Sequence, residues 1–221
     1  MDIHLDVPAI AAKKLANGEV DLALVPIGSL IDLDSYHILS DYCISATGSV
    51  YSVAIFSDHP IQEVDAVILD SQSRTSNALA RLLLEAYWKV NPLIVGKEIR
   101  LPSKAKVARV IIGDKAFGLE HRYRYKYDLS EYWYTYTGLP FVFAAWASKG
   151  KLPVSFVDGF NNALKQGVES IPNIVSSLSV KNPEKAEFYT KYLQHFIEYD
   201  LTDKKRTSLQ TFLHEIQQVV V

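Results

Sequence analysis

Five short apolar runs, each closed by a turn-forming residue or followed by helical spacing, constrain this chain more than any other feature. They are Val20–Val25 before Pro26, Tyr51–Phe56 before Asp58-His59-Pro60, Val67–Leu69 before Ser71, Val107–Ile112 before Gly113-Asp114, and Phe141–Ala147. Runs of this length, rich in β-branched and aromatic residues, read as strands. Helical patterns lie between and after them. Pro8 stands at a first helical position, followed by Ile10, Ala11 and Leu15 and an Asn17-Gly18 stop. Ala78, Leu79, Leu82, Leu83, Ala86 and Tyr87 recur at helical spacing, and helical patterning continues from Phe156 through Lys185–Phe196 and Ser208–Val219. Strands alternating with helices predict an α/β fold with parallel sheet structure. The tyrosine-rich stretch from Tyr123 to Tyr136 carries no assigned element.

The chain has 221 residues, 48% of them hydrophobic. That length allows two lobes of about 100 residues each. A break at Ser57–Ile61 and a return near Leu139 predict a discontinuous lobe one at 1–57 and 139–221, with 58–138 inserted as lobe two.

A formal net charge of −2 with both signs mixed along the chain provides no basic field for a nucleic-acid backbone. An anionic ligand would have to be held locally, by backbone N–H groups and hydroxyls. Cys43 is the one cysteine, which excludes an intramolecular disulfide and a multi-thiolate metal site. The six histidines show no metal-ligand spacing, so no metal is expected. No phosphate loop and no Gly-x-Ser-x-Gly elbow occurs. No run approaches the ~18 apolar residues of a membrane span, and the first residues lack a signal-peptide pattern. The cytoplasm is the expected compartment, with no membrane and no nucleic acid as partner; the oligomeric state is not legible.

Two segments carry the polar chemistry. Ser71-Gln72-Ser73-Arg74-Thr75-Ser76-Asn77 opens a helix with hydroxyls and backbone N–H groups suited to a carboxylate, although the same serines also read as a plain N-cap. Gly48-Ser49-Val50-Tyr51-Ser52 places a glycine and two serines ahead of a strand, where backbone can approach a ligand. The loop end Pro26, Gly28 and Ser29 lies where open α/β sheets bind ligands.

Taken in order, Gly48-Ser49-Val50-Tyr51-Ser52, Ser73-Arg74-Thr75-Ser76, Ile112-Gly113-Asp114-Lys115-Ala116 and Thr137-Gly138-Leu139-Pro140-Phe141-Val142-Phe143-Ala144-Ala145-Trp146-Ala147 resemble the menaquinone-biosynthesis chorismate dehydratase family. The last segment is the most specific, and Pro8–Pro26 fits the same pattern. The resemblance implies a two-lobed periplasmic-binding fold of the second type with a ligand cleft between lobes. It also implies a hydro-lyase of the futalosine pathway that converts chorismate to 3-[(1-carboxyvinyl)oxy]benzoate and water, without a cofactor. Family members open with a strand and a Tyr-Leu-Asn-Thr-x-Pro loop, and this chain begins after them. The expectation is that the chain by itself is marginally stable or weakly active.

On this reading Ser49, Ser52, Ser73, Thr75, Ser76 and Asp114 are the candidate substrate-binding residues. Ser73, Thr75 and Ser76 would take one carboxylate, and Ser52, facing them across the cleft, the other end of the substrate. No catalytic base is assigned. A carboxylate of the substrate itself is one candidate to take the proton, and Asp114 is the protein alternative. The competing readings are a non-catalytic small-anion binding or sensor protein on the same fold and an interaction scaffold using the tyrosine-rich segment.

Overall fold

A computed structural model of the chain describes residues 2–71, 73–96, 101–181 and 183–219. Helix α1 (Pro8–Asn17) is bounded as its sequence dictates. Pro8 opens it, and Gly18, at φ 72°, closes it by donating to the Leu15 carbonyl while Glu19 N–H reaches the Lys14 carbonyl. A left-handed closing residue of this kind favours glycine, which has no Cβ to clash. Strand β1 (Leu22–Pro26) follows and runs into a 3-10 turn at Ile27–Asp32.

The first sheet joins β1, β8 (Phe141–Ser148), β2 (His37–Ala46) and β9 (Glu198–Asp200) in the order β1-β8-β2-β9. Every pairing in it is antiparallel, so the parallel expectation is corrected for this sheet and holds only for part of the second. The two early strands do run in the same direction, but β8 returns from much later in the chain and wedges between them. Strand β2 escaped sequence reading because its alternation is broken by register shifts between Ile38 and Cys43 and between Ile44 and Ser45.

The second sheet has the order β5-β4-β6-β3-β7. It comprises β3 (Val53–Ser57), β4 (Ala66–Ile68), β5 (Leu93–Val95), β6 (Val107–Ile112) and β7 (Tyr125–Asp128). Here β4 is parallel to both β5 and β6, while β3 is antiparallel to β6 and β7. Between β4 and β5 lies α2 (Arg74–Leu82), extended by a π-type turn at Leu83–Tyr87.

The expected passage between sheets near Ser57 falls instead at residues 47–52. All five residues of β3 are buried and the strand pairs on both edges. Such a strand is a central member of the second sheet and cannot be the last piece of the first. The chain leaves the second sheet through α3 (Leu129–Thr137), closed by Gly138, and re-enters the first at Phe141. The unassigned tyrosine-rich stretch thus supplies β7 and α3.

Helices α4 (Val154–Glu169), α5 (Ile171–Lys181) and α6 (Ala186–Lys191) follow, then a π-type turn at Tyr192–Phe196, β9, and α7 (Asp203–Val219). The two sheets share one core. Trp133 of α3, Phe141 of β8 and Phe212 of α7 meet edge to face with centroids 5.0 to 5.8 Å apart. All three are buried, and the Trp133 indole N–H donates to Ser208 Oγ at 3.0 Å. The start of α7 is pinned by buried Lys205, whose ammonium reaches Glu198 and Asp200, each at 2.7 Å.

Candidate functional site

Strand directions gather the polar segments at one end of the second sheet. Because β4 and β6 are parallel and β3 runs against β6 and β7, the carboxyl ends of β4, β6 and β7 lie beside the start of β3. Ser73–Ser76, Gly113-Asp114, Asp128 and Ser52 therefore share one edge. Carboxyl ends of strands are where open α/β sheets bind ligands. The expectation that Ser52 faces the Ser73–Ser76 segment across a cleft is corrected: both sit at the same end of one sheet, with β6 between their strands.

Ser73 caps α2 in the manner its sequence implies, its Oγ accepting the Ser76 N–H at 3.1 Å and donating to Ser76 Oγ at 2.8 Å. The first helical bond runs from Asn77 N–H to the Ser73 carbonyl, so the amides of 74 and 75 stand ahead of it at the positive end of the helix. Thr75 is buried and accepts the Gly28 N–H at 2.9 Å. Gly28 belongs to the turn after β1, so this bond ties the first sheet to the second. The Arg74 guanidinium pairs with Asp32 across the same junction. Gln72 lies outside the described residues.

Ser52 is buried, and its Oγ accepts the Tyr192 hydroxyl at 2.8 Å. Its carbonyl accepts the Gly113 N–H at 2.8 Å. Ser49 is engaged differently. Its hydroxyl donates to Asp128 at 2.7 Å, and the same carboxylate accepts the Val50 and Tyr51 amides and, as cap of α3, the Ser130 and Glu131 amides. The Ser49 proton is thereby committed to Asp128, which makes Ser49 part of the clamp on the crossing. Asp114 is exposed on the 3-10 turn Gly113–Ala116.

A serine or threonine hydroxyl offers one donor and two acceptor sites. Thr75 accepts from Gly28, so that bond leaves its own proton undonated. The Tyr192–Ser52 and Ser73–Ser76 pairs each join two hydroxyls by one bond, leaving one proton per pair. Thr75 and the Ser73–Ser76 pair belong to the first turn of α2, and the Tyr192–Ser52 pair stands at the same end of the second sheet, on the other side of β6. Among the described residues no group of three His, Cys, Asp or Glu side chains lies together to hold a metal.

The crossing itself is strained and walled with aromatic rings. Tyr51 adopts φ 70°, a conformation uncommon outside glycine. Its ring lies 5.4 Å from Phe196 and 6.1 Å from Phe117, and Lys126 Nζ sits 3.7 Å above it. The hydrogen bond from the Tyr51 hydroxyl to Glu120, together with burial and the charge of Glu120, pushes its pKa up to about 12. Burial lowers that of Lys126.

Sequence reading missed Asp128 and Tyr192. A signal existed for Asp128, since Asp128-Leu129-Ser130-Glu131 has the spacing of a capping box. None existed for Tyr192, which stands 140 residues from Ser52.

The two sheets and their strand orders, with polar segments at the strand ends, define an α/β protein of the periplasmic-binding-protein type. The chain resembles a solved protein of Archaeoglobus fulgidus with a TM-score of 0.61 at 17% identity, covering 97% of this chain and 84% of that one. A Candida albicans gene product described as having the generic periplasmic binding protein fold gives 0.54 at 14% identity, covering 96% of this chain and 81% of its own. The chain belongs to the menaquinone biosynthesis family, whose model matches residues 1–218. It is 28% identical over 230 residues to the chorismate dehydratase of Thermus thermophilus, covering 93% of this chain and 83% of that enzyme. No helix among the described residues is long and apolar enough to cross a membrane.

Proposed function

We propose that this chain dehydrates chorismate to 3-[(1-carboxyvinyl)oxy]benzoate, a carbon–oxygen lyase step of menaquinone biosynthesis carried out in the cytoplasm without a cofactor. The observation that carries the reading is the set of hydroxyls at one end of the second sheet, Thr75 and the Ser73–Ser76 pair in the first turn of α2 and the Tyr192–Ser52 pair ahead of β3, whose bonds to Gly28 and within each pair do not use every hydroxyl proton. Chorismate carries two carboxylates, and such a site suits one of them. Loss of the ring hydroxyl with a neighbouring ring proton makes the ring aromatic, so the product supplies much of the driving force. The protein's part is to hold the acid groups and stabilise developing charge. A substrate carboxylate takes the ring proton, which leaves with the hydroxyl as water. Asp114 is the protein group available for that role if the substrate does not serve itself.

Incubation with chorismate, followed by absorbance and mass, tests the reading. The expected product is lighter than chorismate by one water. Ser52→Ala and Thr75→Ala should each lower kcat/KM at least tenfold, about 1.4 kcal/mol; unchanged kinetics in both would remove them from the site. Non-catalytic anion binding on the same fold has one observation in its favour: Asp114 is exposed, and the buried Asp128 carboxylate is taken up by the Ser49 hydroxyl and four backbone amides. Binding of chorismate without product would establish that alternative.

A further inference from the structure

We infer that Tyr192 is the positioning residue for Ser52: its phenol donates to Ser52 Oγ at 2.8 Å and thereby leaves the serine proton directed out of the pair, toward an anionic group bound at this end of the sheet. The inference rests on the reading of Ser52 as a substrate-binding residue.

Both partners are held rigidly. The Tyr192 ring meets Phe117 edge-on at 5.2 Å and stacks on Phe188 at 5.7 Å. Its carbonyl accepts the Ile197 N–H, which closes the π-type turn that presents the ring. On the other side the Ser52 carbonyl is fixed by the Gly113 N–H, and the residues before it are clamped on Asp128. A serine hydroxyl left to itself rotates among staggered positions. One lone pair engaged by a fixed donor restricts where its proton points.

The direction of the bond follows from chemistry. A phenol is far more acidic than an alkyl hydroxyl and is the better donor of the two. Burial raises the pKa of Tyr192, with the negative charges of Asp114 and Asp128 adding to the effect and the Ser52 bond opposing it. The phenol therefore keeps its proton through the neutral range and has it to donate. Ser52 then accepts from Tyr192 and donates onward.

Tyr192→Phe deletes one oxygen and keeps the ring that packs on Phe117 and Phe188. The expected result is a roughly tenfold loss of kcat/KM toward chorismate, about 1.4 kcal/mol, with little change in Tm. In a Ser52→Ala background the same substitution should have no further effect. Benzoate binding, followed by calorimetry in the wild type and these variants, serves as a second readout that needs no turnover. A wild type that makes no product from chorismate, yet binds benzoate in a manner weakened by Tyr192→Phe only when Ser52 is present, would end the dehydratase reading and leave the positioning role standing. Equal losses in both backgrounds, a loss that follows a lowered Tm alone, or no effect of Tyr192→Phe on either readout would overturn the inference. So would a wild type that neither converts chorismate nor binds benzoate.

Discussion

Replacing Gly28 by alanine tests how the two sheets are joined at the site. A Cβ built at Gly28 would lie 2.9 Å from Thr75 Cα, 3.0 Å from Thr75 N and 3.3 Å from Arg74 C. These are backbone atoms of the first turn of α2, and that helix is anchored by fully buried Leu79 and Leu82, so no side-chain rotation relieves the contact. Either the turn after β1 or the start of α2 must move, and the buried Gly28–Thr75 bond lengthens with it. Overpacking of this kind costs about 1–3 kcal/mol, and a weakened buried hydrogen bond adds about 0.5–1.5. The lower entropy of alanine in the unfolded chain offsets about 0.4–1 of that. The net expectation is about 2.5 kcal/mol of destabilisation, which for a chain of this size lowers Tm by roughly 5–10 °C. Gly159, in the middle of α4 with nothing within 4 Å of its Cβ position, is the matched control. There alanine should stabilise by about 0.5–1 kcal/mol. Calorimetric unfolding of both variants decides the matter. A Gly28→Ala protein with a Tm equal to or above the wild type would refute the close approach on which the argument rests.

Two further outcomes follow from buried charged groups. Asp128→Ala should cost about 3 kcal/mol in urea unfolding, because it removes a helix cap and leaves the Ser49, Val50 and Tyr51 donors without their charged acceptor; a loss below about 1 kcal/mol would show the clamp to be replaceable by water. For Lys205, burial lowers the pKa, but its bonds to Asp200 and Glu198 outweigh burial and hold it above the ordinary lysine value. The group's contribution to stability is thus complete below the unfolded value of about 10.4 and is lost as pH rises through the folded one. Lys205→Met should flatten the alkaline limb of the stability profile, and an unchanged limb would assign that loss to other groups.

Elements whose cause is local were legible in the residues alone. Pro8 and Gly18 bound α1, Ser73 caps α2, and the apolar run Val107–Ile112 coincides with β6. The hydroxyl-rich segments Gly48–Ser52 and Ser73–Ser76, with Gly113-Asp114, were also picked out as polar chemistry next to strand ends. Such signals act over one turn or one strand, so they survive without a partner.

What depended on partners distant in sequence was not legible. Strand β9 is three residues long and exists because β2 offers it an edge. The pairing of β8 between β1 and β2 turned an expected parallel sheet into an antiparallel one. The assignment of β3 to the second sheet moved the crossing from Ser57 to residues 47–52. At the site, the residue types were readable but their hydrogen bonds were not. Whether a serine offers its proton to a ligand or to a neighbour is set by what stands within 3 Å of it. For Ser49 that neighbour is Asp128, for Ser52 it is Tyr192, and for Thr75 it is Gly28. The sequence by itself determined the bounds of α1, the cap of α2, the strand at Val107–Ile112 and the polar segments beside strand ends, because backbone sterics and burial patterns act locally. Tertiary structure alone decided which strands are neighbours and what engages Ser49, Ser52 and Thr75, because both are contacts between residues tens to more than a hundred positions apart.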